Sequence, residues 1–572
     1  MLLRKFAFVA STTVLLLLGA CGEEKKNEQA AAEQAAPTAS NVAETAPSTT
    51  NETQTASAVP ATTSKVSEGT VLNRGIGATI GTLDPHINFL AWEGWVLDDL
   101  YEGLVANDAG GAVIPGAAEK WDISDDGLTY TFHLRDGLTW SNGDKLTAQD
   151  FVDGIIRTIS PETASDKAYI FTSTIRVAGA QGLVDGKSKD PASVGISAPD
   201  ERTVVLKLDA PAPHTLFVLG SFYAPPLHKP SLEKFGKDFI KPGNIVSNGA
   251  YTLTENVPQS QVTLGKNPAY WDAANVKIDK VVYRVTEDDS TAVKLWRAGE
   301  LDTTADIPTA QIDPLKEEFG DQVHISASTE TNYMSFNISK PPFDNIKLRQ
   351  ALSMAIDRDT LVNKVVKGGY VVNYGYVVPI PGYPAPQVAE ATMSKEDRIA
   401  KAKALYAEAG FGPDKPVSLT IESSNNDAYK KQAETIAVMW KQVLGVDAKV
   451  NAQDRDGWLA AFNSGGWDVF NDNLIGDFPG PETYLAYMDP RADVGYGWKS
   501  PEFEAAFDKA MPITDQAERW KVLAEAEKAL LDYYLTAPIA SSPNRHLIAK
   551  KLQGWVDNPA DVHPTRFMSV AP

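Results

Sequence analysis

Hydrophobic and polar residues alternate with two different periods along the chain. Met334, Phe336 and Ile338 are separated by polar residues, and this two-residue period predicts a strand with two unlike faces. Apolar residues at three- and four-residue spacing predict an amphipathic helix over residues 346–366. A second helix of this kind ends at Gly445, a favourable C-cap residue, and a further strand follows at once. This succession predicts an α/β protein in which helices cover the sheets.

The N-terminal residues show a different pattern. Arg4 and Lys5 precede a short apolar run that is closed by Leu-Gly-Ala and then by Cys21, the single cysteine of the chain. A charged start, a short apolar core and small residues before a cleavage point are typical of a secretory signal, which we assign to residues 1–20. The run is too short for a membrane span. The tetrapeptide looks like a bacterial lipobox, so we predict lipidation of Cys21; an internal core cysteine is the alternative.

The segment after the cysteine has the composition of a linker. Residues 22–67 contain no Leu, Ile, Phe, Tyr or Trp. Such a segment cannot bury enough apolar surface to offset its ordering entropy, so we predict a disordered linker over residues 21–68. A flexible coil of this length spans about 40 Å. We therefore expect a lipoprotein of the cell envelope that faces the periplasm and is anchored at Cys21.

Charge and length limit the classes of partner. The chain has a formal net charge of −21, which argues against nucleic acid and against a basic membrane-binding surface. We therefore expect the protein to contact the membrane only through its lipid. Because no second cysteine is available for a disulfide, the folded part depends on packed cores, and its length predicts two or more lobes.

Motifs for catalysis are missing from the sequence. The seven histidines are scattered, with no pair at the spacing of a helix-borne zinc site, so we predict no metal and no cofactor. The segment Gly75–Gly81 superficially resembles a dinucleotide loop, but its last glycine is one place too far along, and we interpret it as an opening strand. Neither a nucleophile elbow nor a phosphate-binding loop is present. We therefore predict a binding protein without catalytic residues, and not an enzyme.

Nine short segments match one family in residues, order and spacing. They are Leu83–His86, Leu100–Leu104, Phe132–Gly137, Trp140–Asp144, Thr147–Phe151, Ser247–Tyr251, Lys266–Asp272, Pro341–Phe343 and Ala355–Asp359. Together they resemble the extracytoplasmic oligopeptide-binding proteins of ABC importers, in solute-binding family 5, which includes the murein-peptide type. The likeness covers nearly everything from residue 69 to the C-terminus.

The resemblance implies a two-lobed periplasmic-binding-protein fold of class II with an extra subdomain in the first lobe. It assigns residues 69–101, 226–330 and 543–572 to the first lobe, 102–225 to its subdomain and 331–542 to the second lobe. Short peptides would be enclosed between the lobes by strand addition, and lobe closure would present them to the permease subunits of an ABC importer. We expect a monomer.

The resemblance also identifies binding residues. The segment Asn473–Thr483 matches the family segment whose aspartate receives the α-ammonium of a peptide, and that aspartate falls on Asp477. A desolvated ammonium needs a carboxylate partner. Capping of the following Pro-Gly turn is the alternative role. Main-chain pairing is assigned to Asn473, Ile475 and Gly476 on this side, and to Phe89, Leu90 and Ala91 on the other lobe.

Several positions depart from the general peptide binders of the family. An acidic residue is replaced by Phe89, and two arginines of the second-lobe wall are replaced by Phe462 and Asn471. Arg455 stands where a pocket tryptophan is expected, and Trp458 follows three residues later. Because its planar guanidinium suits carboxylates, we predict that Arg455 binds a ligand carboxylate. An exposed pair with Asp454 or Asp456 is the alternative.

The predicted binding set is completed by Asn471, Trp458 and Tyr333. Two other functions remain possible on this sequence. The first is a receptor of the same fold for a metal chelate, an opine or a sugar, with Asp477 serving only as a turn cap. The second is an envelope lipoprotein without a transport role, either structural or hydrolytic; the lack of a nucleophile and base argues against the hydrolase.

Overall fold

The computed structural model describes residues 69–88, 90–492 and 496–571. The predicted signal, Cys21 and the predicted linker lie outside the described residues, and so does Phe89. None of the described helices combines the length and the apolar content needed to cross a bilayer.

The described strands are numbered in chain order. They are β1 (Val71–Ile76), β2 (Val105–Asn107), β3 (Val113–Pro115), β4 (Ala118–Ile123), β5 (Thr129–Leu134), β6 (Ile196–Asp200), β7 (Thr203–Lys207), β8 (Tyr251–Val257), β9 (Gln261–Lys266), β10 (Lys280–Val285), β11 (Val323–Phe336), β12 (Val371–Val372), β13 (Ser418–Ser424), β14 (Asp447–Gln453), β15 (Val469–Ile475), β16 (Thr536–Leu547), β17 (Leu552–Gln553) and β18 (Ser569–Val570).

The described α-helices are numbered in the same way. They are α1 (Ala91–Leu100), α2 (Ala148–Ile159), α3 (Ala180–Val184), α4 (Thr215–Leu219), α5 (Lys229–Phe235), α6 (Asp289–Arg297), α7 (Ile312–Phe319), α8 (Ile346–Met354), α9 (Arg358–Thr360), α10 (Lys395–Glu408), α11 (Asp427–Leu444), α12 (Arg455–Ser464), α13 (Pro481–Met488), α14 (Pro501–Ala510) and α15 (Gln516–Tyr533).

The first lobe contains two four-stranded sheets. One has the order β1-β10-β9-β8, with β1 and β10 parallel, and the other is the antiparallel sheet β4-β5-β7-β6. Both sheets contribute to one continuous hydrophobic core, for example through Leu72 and Tyr283 from the first and Phe132 and Val204 from the second. The sheet β4-β5-β7-β6 lies within the segment that we assign to the subdomain, whose boundaries stay a prediction.

The second lobe is built on a six-stranded mixed sheet of order β12-β16-β11-β15-β13-β14. On one face, α8 and α11 bury Leu352 and Trp440 against it, and on the other face α13, α14 and α15 bury residues such as Leu485 and Leu523. A sheet covered by helices on both faces is the arrangement that the sequence pattern predicts.

Two long antiparallel strands connect the lobes. The Val323 end of β11 and the Leu547 end of β16 pack with α6 and α7, whereas Met334 and Ala537 lie in the core of the second lobe. The pairing shifts register between Ala327 and Thr331. A strand pair that enters two separate cores, with an irregularity between them, is suited to serve as a hinge. The two-lobed α/β prediction is confirmed.

The predicted helix over residues 346–366 is only partly correct. The structure has α8 from Ile346 to Met354, after which Asp357 caps a new turn by accepting a hydrogen bond from the backbone N–H of Thr360 at 3.2 Å. A capping aspartate favours a helix start and not a helix interior, so the first helix ends before Asp357 and a new helical turn begins after it. The second predicted helix is α11, and Gly445 ends it with a φ of +76°.

Candidate ligand-binding cleft

A cavity of about 750 Å³ lies between the two lobes. The second lobe lines it with β15 and the loop that follows, and with one side each of α12 and α13. The first lobe lines it with residues 91–92, with the segment around Tyr169 and with the segment around Tyr223. This volume is in the range of sites that enclose small organic ligands.

The carboxylate of Asp477 joins the two walls of the cavity. It lies two residues beyond the end of β15, and its Oδ1 accepts hydrogen bonds from the hydroxyls of Tyr169 at 2.7 Å and Tyr223 at 3.1 Å. Both tyrosines belong to the opposite wall. Its Oδ2 lies 3.4 Å from the hydroxyl of Thr483. Asp477 is therefore held by donors from both lobes.

The charge of Asp477 has no counterpart among the described residues. Its three side-chain donors are neutral hydroxyls, and no described Lys, Arg or His forms an ion pair with it. Burial raises the pKa of this carboxyl, because the charged form loses its hydration. A ligand cation bound here would neutralise the carboxylate charge.

The turn after Asp477 is held by other groups. The backbone N–H of Asp477 donates to the Thr483 hydroxyl at 3.1 Å, and the ring of Phe478 stacks on His214 with centroids 4.1 Å apart. The Asp477 side chain contributes to the turn only through the long Thr483 contact. Its shorter hydrogen bonds cross the cavity, so turn capping does not explain its position.

One edge of β15 is available for pairing. β15 pairs with β11 along its whole length, from Val469 to Ile475, but it pairs with β13 only at Val469 and Phe470. Among the described strands, residues 471–475 therefore have one backbone edge without a partner. An open strand edge beside a cavity can accept an extended chain by strand addition.

A buried ion pair lies near Asp477. Glu482 meets the guanidinium of Arg519 at 3.0 Å, and these side chains are 8% and 1% exposed. Arg519 also donates to the backbone oxygens of Pro211 in the first lobe and Met511 in the second. The pair lines the cavity, but its charges are already matched.

Most of the predicted site residues line this cavity. They are Ala91, Arg455, Trp458, Asn473, Ile475, Gly476 and Asp477, together with Phe462. Leu90 immediately precedes α1 and is not among the residues that line the cavity, and Phe89 lies outside the described residues. Ligand binding by each of these residues stays a prediction.

Two predicted binding residues lie in the core of the second lobe instead. Tyr333 is fully buried and packs on the ring of Tyr376 with centroids 5.0 Å apart. Asn471 exchanges hydrogen bonds with Gln432 and with Ser423. Helices cover both faces of the sheet, so the more polar of the two predicted strand faces is also buried. Neither side chain lines the cavity.

Arg455 is the first residue of α12 and is exposed at the cavity. It forms no ion pair within the described part of the chain. Asp454 instead caps α12 by accepting a hydrogen bond from the backbone N–H of Gly457 at 2.9 Å. The alternative of an exposed pair with Asp454 or Asp456 is therefore not what the structure has.

Sequence reasoning missed several groups of the cleft. Tyr169 and Tyr223 are separated from Asp477 by 308 and 254 residues, and no local pattern marks them. It also missed that folding brings His546, Asp561 and His563 together, away from the cavity lining. Both histidines already hydrogen-bond to Asp561, at 2.8 and 3.0 Å.

Two lobes that enclose a cavity and are joined by a strand pair define the class of two-lobed solute receptors. Residues 112–495 match the family of bacterial extracellular solute-binding proteins, family 5 Middle, and the chain belongs to this family.

Three known proteins illustrate the likeness. The chain is 34% identical over 509 residues to the periplasmic oligopeptide-binding protein OppA of Escherichia coli K12, covering 88% of this chain and 93% of that one. It resembles the structure of the E. coli murein tripeptide binding protein MppA with a TM-score of 0.79 and 33% identity, covering 88% and 99% of the two chains. It resembles Haemophilus influenzae OppA in complex with the peptide RPPGFSPFR with a TM-score of 0.78 and 31% identity, with the same coverage of 88% and 99%.

Proposed function

We propose that this protein is an extracytoplasmic receptor that encloses short peptides between its lobes and delivers them to an ABC import permease. The observation that carries the proposal is the Asp477 carboxylate, which lies in the cavity with hydroxyl donors from both walls and no cationic partner among the described residues. Its ligand would be the α-ammonium of the peptide. Solved relatives that bind peptides share the fold.

The open edge of β15 supports the same function. A peptide whose amino end meets Asp477 would lie beside residues 471–475, whose outer backbone edge has no partner among the described strands. Hydrogen bonds between main chains give affinity without reading the sequence of the peptide. A solute without a peptide main chain cannot pair with such an edge along its length, so this feature favours peptides over the other solutes.

The experiment is calorimetric titration of the wild-type protein with a set of tri- to pentapeptides and with their N-acetylated forms. We expect binding of the free peptides and a loss of at least tenfold on acetylation, because an acetylated amine carries no charge for Asp477. Equal affinity for both sets would contradict the proposal.

We further propose that Arg455 binds a carboxylate of the ligand, either on an acidic side chain or on a cell-wall peptide. Its exposed guanidinium lines the cavity and has no ionic partner among the described residues. The variant Arg455→Ala should lose affinity for acidic peptides and keep it for neutral ones. The matched control is Arg297→Ala, which removes an arginine that is already paired with Glu318 at 2.6 Å. Equal losses for acidic and neutral peptides would refute this role.

We also propose that the protein is a monomeric, non-enzymatic lipoprotein, anchored to the cell envelope through Cys21. The lipobox-like sequence at residues 18–21 supports the anchor. Mass spectrometry of the protein from the membrane fraction should find a diacylglyceryl group on Cys21, and Cys21→Ser should release the protein into the soluble fraction. An unmodified cysteine in membrane-bound protein would contradict the anchor.

A further inference from the structure

A buried lysine organises the first-lobe wall of the cavity. Lys167 is 1% exposed, and its Nζ donates to the backbone oxygen of Pro85 at 2.8 Å, to Oδ1 of Asn88 at 2.8 Å and to the backbone oxygen of Phe222 at 2.7 Å. An ammonium has three hydrogens, so its donors match these three acceptors. Lys167 thereby ties its own segment to two others, residues 85–88 and the segment at Phe222.

The contact with Lys167 fixes the orientation of the Asn88 amide. An ammonium donates and cannot accept, so the amide oxygen has to face Lys167 and the amide nitrogen has to point elsewhere. Asn88 is fully buried and lines the cavity, and its Nδ2 has no acceptor among the described residues. Buried amide donors are nearly always paired in folded proteins. An unpaired one in a cavity wall therefore indicates an acceptor that comes from a ligand.

The position of Asn88 places this donor beside the Asp477 site. Lys167 is two residues from Tyr169, and Phe222 directly precedes Tyr223, so the segments that Lys167 holds carry the two hydroxyls that contact Asp477. Asn88 also directly precedes the stretch 89–91 that we assign to main-chain pairing. A peptide whose amino end meets Asp477 would bring its first carbonyl groups to this part of the wall.

We propose that Nδ2 of Asn88 donates a hydrogen bond to a main-chain carbonyl oxygen near the amino end of the bound peptide, and that Lys167 is the positioning residue that aims this amide. The inference rests on the proposed peptide-binding function. A neutral amide suits a neutral carbonyl, and every peptide carries one at this place whatever its side chains. The contact adds affinity for peptides as a class and selects no sequence.

The test is a double-mutant cycle between protein and peptide. Asn88→Asp keeps an acceptor for Lys167 and removes the donor. Wild type and variant are titrated with one tetrapeptide and with three analogues, each carrying a thioamide, a weaker acceptor, in place of one peptide bond. We expect Asn88→Asp to bind the parent peptide at least tenfold more weakly. One of the three analogues should bind wild type about fivefold more weakly than the parent peptide does. On Asn88→Asp, the same analogue and the parent peptide should bind equally well.

Further variants separate a ligand contact from a structural effect. In Lys167→Met, the thioamide at the same peptide bond should no longer weaken binding, because the Asn88 amide is no longer aimed at it. This variant should still bind the peptide with a free amine more tightly than the acetylated form. Asn267→Asp is the control, since Asn267 is a buried amide outside the cavity lining whose Nδ2 donates to Gly249 and whose Oδ1 accepts from Ala269. It should leave the thioamide pattern unchanged. If thermal melting shows that Asn88→Asp is unfolded, Asn88→Ala replaces it in the same titrations.

Two results would overturn the proposal. One is equal affinity of wild type and the Asn88 variant for the parent peptide. The other is a set of thioamide losses that is the same in both proteins. If wild type binds peptides but shows either result, only the role of Asn88 fails. If wild type binds no peptide at all, the proposed function fails with it.

Discussion

Two carboxylates of the same cavity, five positions apart, have opposite electrostatic situations. Asp477 and Glu482 both line the cavity, and burial raises the pKa of both. Glu482 faces the guanidinium of Arg519 at 3.0 Å, whereas Asp477 is held by the hydroxyls of Tyr169, Tyr223 and Thr483. The charge of Glu482 is therefore matched within the fold, whereas the charge of Asp477 is not matched by any described residue, and we propose that the ligand supplies its cation.

The largest expected effect concerns the paired carboxylate. Arg519→Met would leave Glu482 charged and buried, and it would also leave the backbone oxygens of Pro211 and Met511 without their donor. Removing one partner of a buried pair costs about 3–5 kcal/mol. We expect the free energy of unfolding, measured by urea titration, to fall by about this amount.

An exposed pair provides the control for this prediction. Lys528 and Asp532 are 64% and 66% exposed and lie 2.7 Å apart on α15. Lys528→Met should change the free energy of unfolding by less than about 1 kcal/mol, because solvent screens such pairs. If Arg519→Met unfolds at the same urea concentration as wild type, the contrast between the two carboxylates is wrong.

The second prediction concerns the pH dependence of peptide binding. The pKa of Asp477 is raised from its ordinary value of 3.8 in the unliganded protein. The ammonium pairs only with the ionised form, so affinity should be constant from the raised pKa up to about pH 7, above which the α-amino group of the peptide begins to lose its proton. Below the raised pKa, affinity should fall about tenfold per pH unit, a change of about 1.4 kcal/mol. Calorimetric titrations between pH 4 and about 7, where the peptide amine stays charged, measure this slope.

Variants assign the slope to one carboxyl. Burial also raises the pKa of Asp472, another residue of the cavity lining, to about 6. Asp477→Asn should remove the dependence on pH, and Asp472→Asn should keep it. A slope that disappears in Asp472→Asn and survives in Asp477→Asn would assign the ammonium to the wrong carboxylate.

A smaller effect is expected from the hydroxyls across the cavity. Tyr169→Phe removes the 2.7 Å hydrogen bond that joins the first lobe to Asp477, so the contact between the two cavity walls loses about 1 kcal/mol. Peptide affinity should fall about fivefold, whatever the peptide sequence. Tyr383→Phe is the control, because its hydroxyl donates to Glu527 at 2.7 Å outside the cavity lining. Tyr383→Phe should lower the stability of the fold and leave peptide affinity unchanged. If Tyr383→Phe lowers peptide affinity and Tyr169→Phe does not, Tyr169 has no role in binding.

The sequence predicted those parts of the fold that depend on local patterns. The strand through Met334 is β11 and the helix that ends at Gly445 is α11, because residue periodicity and a C-cap glycine are local signals. The break after Met354 escaped prediction, since the apolar spacing continues through residue 366 while Asp357 caps a separate turn.

The candidate site was predictable only in part. Asp477 was found through the resemblance of its flanking residues. Tyr169 and Tyr223 reach it only through the packing of the two lobes, which no spacing in the sequence records. Asn471 was included in the site through the resemblance and Tyr333 as part of the same predicted set, but helices cover both faces of their sheet and both side chains are buried there. Alternation tells which residues share a face, and the tertiary structure decides what covers that face.

The most direct test compares wild type with Asp477→Asn, each titrated with one peptide and with its N-acetylated form. We expect Asp477→Asn to bind the free peptide at least tenfold more weakly, about 1.4 kcal/mol, and to discriminate little between the two forms. Its stability at neutral pH should equal or exceed that of wild type, because an ionised buried carboxylate with a raised pKa opposes folding. If Asp477→Asn still prefers the free amine as strongly as wild type does, Asp477 is not the partner of the peptide's ammonium.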